Sequence, residues 1–187
     1  MAVTVRVPTL ADAAATADLQ VAIWREAYTH LLPEGFFTDE FARQRHDLWR
    51  RVLADPRDDV RPRVAELDGV LVGLALAGPS LPGPDGATPR PEQLYQLYVA
   101  AAHHGTGVGQ ALLDGVLGDR PAMLWVAREN PRAIAFYRRN GFELDGAATT
   151  DPGAPGIVEV RMVRPHDSDD LDAPARYAAG AATDDLR

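Results

Sequence analysis

Residues 94 to 113 read Leu-Tyr-Gln-Leu-Tyr-Val-Ala-Ala-Ala-His-His-Gly-Thr-Gly-Val-Gly-Gln-Ala-Leu-Leu. An apolar strand, Leu94 to Val99, runs into a glycine-rich turn that opens directly into a helix. Gly105, Gly107 and Gly109 alternate, so no β-carbon at these positions obstructs an approaching group. Successive backbone N–H groups at a helix N-terminus, aided by the macrodipole, suit an anion such as a phosphate. The turn alone does not name the ligand. A P-loop needs G-x-x-x-x-G-K-[S/T], and no Lys follows here. A dinucleotide fingerprint needs Gly at 105, 107 and 110, but position 110 is Gln.

A second segment narrows the choice. Asn130-Pro131-Arg132-Ala133-Ile134-Ala135-Phe136-Tyr137-Arg138-Arg139-Asn140-Gly141-Phe142 has the form N-x-x-A-x-x-x-Y-x-x-x-G-F. Together, in this order and each after a strand, the two segments resemble the signatures of the GNAT superfamily of N-acyltransferases. The resemblance covers roughly residues 3 to 164.

Composition sets the bounds. The chain has 187 residues, of which 46% are hydrophobic, which suits one domain with a sizeable core. No run of apolar residues is long enough for a membrane span, and the N-terminus lacks a long apolar signal region. There is no Cys, so disulfides, thiolate nucleophiles and Cys-based zinc sites are excluded. These features point to the cytoplasm. A net charge of −8 argues against general nucleic-acid binding. Residues 165 to 187 hold six Asp against two Arg and offer little to bury, so they read as an acidic, disordered tail beyond a domain of residues 1–164. A short helix around Leu171 to Ala182 is the alternative.

The expected order is β-α-α-β-β-β-α-β-α-β-β, an α/β single-domain fold with a mixed central sheet flanked by helices. Val3 to Val7 alternates as a strand. Thr9 and Asp12 have the form of a capping box before a helix over about 10–28. A second helix spans about 38–54. Asp68-Gly69 suits a two-residue type I′ turn between strands 64–67 and 70–76. Residues 78 to 91 carry five Pro and three Gly, a long loop that reads as a lid or a tolerated insertion. A helix over 108–117 and a short strand over 123–127 follow. Asn130 caps the next helix with Pro131 at its first position, and Gly141 with Phe142 ends it. The last two strands lie over 142–150 and 157–163. This is also the GNAT order.

The resemblance implies a site. Its two central strands, Leu94–Val99 and Met123–Ala127, would splay apart to hold pantetheine. Main-chain groups of Leu97 and Val99, flanking Tyr98, would bond it, with the Val99 N–H polarising the thioester carbonyl. The run His104, Gly105, Thr106, Gly107, Val108, Gly109 and Gln110 would hold the pyrophosphate. His104 departs from the family, which has Gln or Arg there, and a neutral His brings no charge. Asn130 and Ala133 would also face the cofactor, acetyl-CoA. Tyr137 would be the acid that protonates the departing thiolate, or else a tyrosine packing on the sheet. For the base, Glu92 and Glu26 are candidates. The family position for a base is Gln93, and strand alternation forbids Glu92 and Gln93 from both facing the cleft. Trp24, Tyr28, His30 and Phe36 would line the acceptor site, or belong to the core.

The expected activity is transfer of an acyl group, most plausibly acetyl, from acyl-CoA to a primary amine of a small molecule or protein. Attack would be direct, in a ternary complex. The alternative is a non-catalytic acyl-CoA-binding sensor of the same fold. No metal is implied, because adjacent His103 and His104 without a nearby carboxylate are poor ligands. Expected partners are acyl-CoA and the amine, with no nucleic acid or membrane, and a homodimer is left open.

Overall fold

The computed structural model describes residues 3–151 and 153–165. The expected tail therefore lies outside the described residues except for Pro165. Strand β1 (Thr4–Arg6) is followed by a 3-10 turn over Leu10–Asp12, then helix α1 (Ala13–Tyr28). The capping box forms at this turn: the Thr9 N–H donates to Asp12 Oδ2 at 2.7 Å, and Arg6 clasps the same carboxylate. Helix α2 (Asp39–Ala54) starts at Thr38, whose Oγ1 accepts from the Phe41 N–H.

The hairpin of β2 (Arg61–Leu67) and β3 (Val70–Pro79) turns at Asp68-Gly69 with φ of 50° and 82°. Positive φ at both central residues is what a type I′ turn requires. Strand β4 (Glu92–Val99), a 3-10 turn over Ala101–His103 and helix α3 (Val108–Val116) follow. Then come β5 (Ala122–Ala127), α4 (Pro131–Arg139), β6 (Glu143–Thr150) and β7 (Val158–Arg164). The element order is the expected one, with ends displaced by a few residues.

The seven strands form one sheet in the order β1-β2-β3-β4-β5-β7-β6. All neighbours are antiparallel except β4 and β5. Those two pair in parallel only through Glu92↔Ala122, Gln93↔Met123 and Leu94↔Leu124, after which they diverge. The expected splay is therefore present.

A bulge sets what faces the resulting gap. Leu76 opposes Gln96 while Ala77 opposes Leu94, so Tyr95 is an extra residue in β4. The bulge reverses the side-chain phase. Leu94 packs with Leu112, Leu113, Leu124 and Phe142 on the face covered by α3 and α4. Past the bulge, Leu97 and Val99 take over that face, while Tyr98 joins the clusters under α1 and α2. Gln96 shares the Tyr98 side.

The α1/α2 face is built on Trp49, Leu48, Val64, Leu74 and Leu76. Trp49 is fully buried, and its indole N–H donates to Gln20 Oε1 at 2.7 Å, tying α2 to α1. A third cluster, Trp24, Phe41, Ala127, Ala154 and Ile157, joins α1 to the β6–β7 turn. The turn lies close: a β-carbon at Gly156 would stand 2.5 Å from the Leu31 carbonyl oxygen.

The loop 80–91 is fastened at several points. Leu81 N–H donates to Gln93 Oε1, Arg161 reaches Asp85, and Arg90 reaches the Arg164 carbonyl. No residue of this loop lines the cleft described next. No helix among the described residues is long and apolar enough to cross a membrane.

Candidate active site

A cleft of about 760 Å³ passes through the gap between β4 and β5. It joins the glycine turn to the floor beneath α1. Its geometry follows from main-chain alternation. Ala100 N–H donates to Val72 O at 2.9 Å, so alternate residues of β4 bond β3 while Leu97 and Val99 turn their peptide groups toward the gap. Those groups stand where a partner strand would be if β5 had not diverged.

At one end lies the glycine turn. Gly105 and Gly107 have φ of 77° and 90°, a left-handed backbone that a β-carbon disfavours, and Gly107 is the N-cap of α3. Ala111 N–H closes the first helical bond, onto Gly107 O at 3.0 Å. The N–H groups before it, through Gln110, are those an α-helix leaves outside its own ladder. His104 N–H is excluded from that set, since it donates to Ala101 O.

The His104 ring has a different position from the one a phosphate ligand needs. Its Nε2 lies 2.9 Å from Val99 O, and Arg132 donates to its Nδ1. An acceptor Nδ1 requires the neutral tautomer with the proton on Nε2, donated to Val99. The charge absent at His104 is thus brought alongside it by Arg132, which also lines the cleft.

Asn130 caps α4 by accepting from Ala133 N–H at 3.0 Å. Tyr137 is 7% exposed, set between the Phe136 and Phe142 rings, and lines the cleft. Burial pushes its hydroxyl well above the ordinary tyrosine pKa, with Tyr28 adding to the effect, so it carries its proton at neutral pH. Tyr98 is raised by burial too, then by Tyr28. Tyr28 itself is raised first by burial, with the Asn130 side chain opposing and Glu159 and Asp151 adding to it.

A model of the Acetyltransferase (GNAT) family matches residues 21–142. The chain belongs to the GNAT acetyltransferase family. Its members transfer acyl groups from acyl-CoA to an acceptor. An uncharacterized N-acetyltransferase of Mycobacterium tuberculosis is 35% identical over 118 residues, covering 60% of this chain and 70% of that protein. Another protein of the same species, named a probable N-acetyltransferase, is 33% identical over 90 residues, 46% of this chain. There the chain spans about half the relative's length, 49%. Among solved structures, the PaiA N-acetyltransferase of Thermoplasma acidophilum in complex with coenzyme A superposes with a TM-score of 0.63. It is 18% identical and covers 88% of this chain and 99% of its own. At that identity the likeness speaks to the fold alone.

Most residues singled out from the GNAT signatures converge on the cleft. Leu97, Tyr98, Val99, His104, Gly105, Gly107, Gly109, Gln110, Asn130, Ala133 and Tyr137 line it. So do Trp24, Glu26, Tyr28 and His30 from α1 and the turn after it. Five others do not. Thr106 is exposed and bonds His103 O, and Val108 is buried in the core beneath the turn. Phe36 packs edge-on against Phe37 and tilted against Phe41 instead. Gln93 spends Oε1 on the Leu81 N–H, and Glu92 pairs with Arg61, which also bonds Val116 O beside α3. Glu92 and Gln93 precede the bulge, where β4 is still bonded to β5, so the gap has not opened at their level.

Sequence reasoning missed Gln96, Trp125, Arg132, Asp151 and Glu159, all of which line the cleft. Arg132 lay inside the quoted Asn130 segment. For Trp125 and Glu159 the signal is sheet register, which requires knowing that β7 pairs with β5, and for Gln96 it is the bulge at Tyr95.

Proposed function

We propose that this GNAT protein transfers an acetyl group from acetyl-CoA to a primary amine, on a small molecule or a protein, by direct attack in a ternary complex. The observation that carries the reading is the opened β4–β5 gap, which joins the N-terminus of α3 to a buried tyrosine within one cleft.

In this reading the N–H groups from Gly105 to Gln110 hold the pyrophosphate, and Arg132 supplies positive charge beside them. Leu97 and Val99 bond the pantetheine arm as a strand would. The Val99 carbonyl already accepts from His104. That bond anchors the end of β4 and leaves the Val99 N–H as the donor toward the thioester oxygen. Attack by the amine nitrogen forms the C–N bond, and the C–S bond breaks with its electron pair on sulfur. Tyr137, protonated across the working range, donates to that sulfur and regains a proton from the attacking nitrogen.

The test is release of free CoA thiol across a panel of primary amines, with acetyl-CoA present and the product confirmed by mass. Amine-dependent thiol release with an acetylated product supports the reading. Tight acetyl-CoA binding with no release on any amine would favour the sensor.

A further inference from the structure

We propose that acyl-CoA binding is coupled to protonation of His104: the imidazole, neutral in the free protein, yields Arg132 to the pyrophosphate and takes up a proton, so that pH sets cofactor affinity. The proposal rests on the cofactor half of the acyl-transfer reading and adds a regulation of the same site.

Two bonds define the free state. His104 Nε2 lies 2.9 Å from Val99 O, and Arg132 donates to Nδ1. The ring therefore carries its proton on Nε2 and keeps its lone pair on Nδ1. In this form it has no N–H left for a phosphate and no charge to offer one. Arg132, in the first turn of α4, is likewise turned to the ring. Two groups suited to a phosphate thus stand beside the glycine turn, and each occupies the other. Both line the cleft onto which Gly105, Gly107 and Gly109 open.

A proton ends that arrangement. An imidazolium donates from both nitrogens. Its Nε2–H keeps the bond to Val99 O and so holds the end of β4. Its Nδ1–H repels the Arg132 donor and becomes a charge-assisted donor toward an anion. Arg132 is then free to meet a phosphate oxygen. One proton adds a positive charge and a donor and releases a guanidinium, all beside the glycine turn.

The unperturbed histidine pKa of ~6.5 puts this change within reach of neutral pH. His104 and Arg132 are exposed, so protons exchange directly with solvent, and salt screens the pair. The other ionisable groups lining the cleft from these elements are His103 in the same turn, Tyr98 on β4, Glu129 before α4, and Tyr137 and Arg139 on α4. On α3, Asp114 accepts from Gln110 Nε2. An anion favours the protonated ring. Binding therefore takes up protons, and by reciprocity affinity rises as pH falls through the titration.

The experiment is calorimetric titration of the full chain with dephospho-CoA at pH ~6.5 and low salt, in MES and in ACES, buffers of different ionisation enthalpy. Dephospho-CoA keeps the pyrophosphate and pantetheine but lacks the 3′-phosphate, whose own second ionisation falls near pH ~6. The difference in heat should report uptake of about 0.3 to 1 proton per site in wild type and less than about 0.1 in His104→Gln. His103→Gln should match wild type. Between pH ~7.5 and ~5.5, wild-type affinity should strengthen at least about three-fold more than that of His104→Gln. NMR of the ring Cε1–H signals, assigned with the two Gln variants, follows His104 in the unaltered chain. Its titration midpoint should rise by about half a pH unit or more on binding. Arg132→Met should raise the midpoint of the unliganded protein. Equal proton uptake in wild type and His104→Gln, or a wild-type midpoint unmoved by ligand, overturns the coupling while leaving the cofactor reading standing. Should His104→Gln fail to bind, the wild-type midpoint decides. An unliganded midpoint unmoved by Arg132→Met overturns Arg132 as the group exchanged. Absence of binding of both dephospho-CoA and CoA overturns the cofactor reading, and the coupling with it.

Discussion

At Tyr137 a hydroxyl is buried between aromatic rings at the point where the cleft crosses the sheet. Tyr137→Phe keeps the ring and removes one oxygen, so the fold should survive and acetyl-CoA affinity should stay within a few-fold. If the hydroxyl protonates the departing sulfur, turnover falls by roughly ten- to ten-thousand-fold. A thiolate is a good leaving group, which favours the lower half of that range. An unchanged single-turnover rate would make Tyr137 a packing residue. Gly109 offers a second test. A β-carbon there would meet Phe136 at 3.6 Å, an ordinary contact, whereas Gly107 lies at positive φ and any side chain there adds strain. Gly109→Val is thus the cleaner variant. Its branched side chain should crowd the phosphate path and weaken CoA binding by at least ten-fold in calorimetry, with little loss of melting temperature. Residues in the quoted signatures were legible because short-range spacing defines them. Asn130, Pro131 and Ala133 assemble their cap within a single turn of helix.

At the scale of elements, local pattern placed the helices and the Asp68-Gly69 hairpin, because capping and turn chemistry act over a few residues. The site's acidic side was not legible for a physical reason. One extra residue, Tyr95, inverts the phase of β4, and no periodicity in Leu94 to Val99 announces it. Glu159 reaches the cleft only because β7 inserts between β5 and β6, a long-range pairing. Glu92 and Gln93 drew notice by position in the chain, yet they lie on the closed part of the β4–β5 junction. Between the helices, the Trp49–Gln20 bond is a fully buried polar tie, set apart from the exposed His46–Asp18 contact. Gln20→Leu strands the buried indole N–H and should cost about 1–3 kcal/mol in urea unfolding. Adding Trp49→Phe removes the stranded donor, so the double variant should lose less than the sum of the two single losses.

For the whole molecule, a ligand that binds only the folded chain raises stability by mass action. Acetyl-CoA or CoA at a hundred times its Kd should stabilise the protein by about 2.7 kcal/mol, a rise of several degrees in melting temperature. NAD and ATP should give much less, because neither offers a pantetheine arm for Leu97 and Val99. Absence of a shift with millimolar CoA would contradict the phosphate assignment. The three-pair contact between β4 and β5 carries a further consequence. Mechanically it is a seam. The strands β1 to β4 and the strands β5 to β7 are two half-sheets, each laced by long antiparallel ladders and stitched to the other along one short edge. Openings that fall short of global unfolding follow such boundaries. A cofactor lying along the exposed edges of both halves would act as a splint across the seam. Amide hydrogens in its vicinity should then exchange more slowly when it is bound, while those at the outer edges of the sheet keep their own pace.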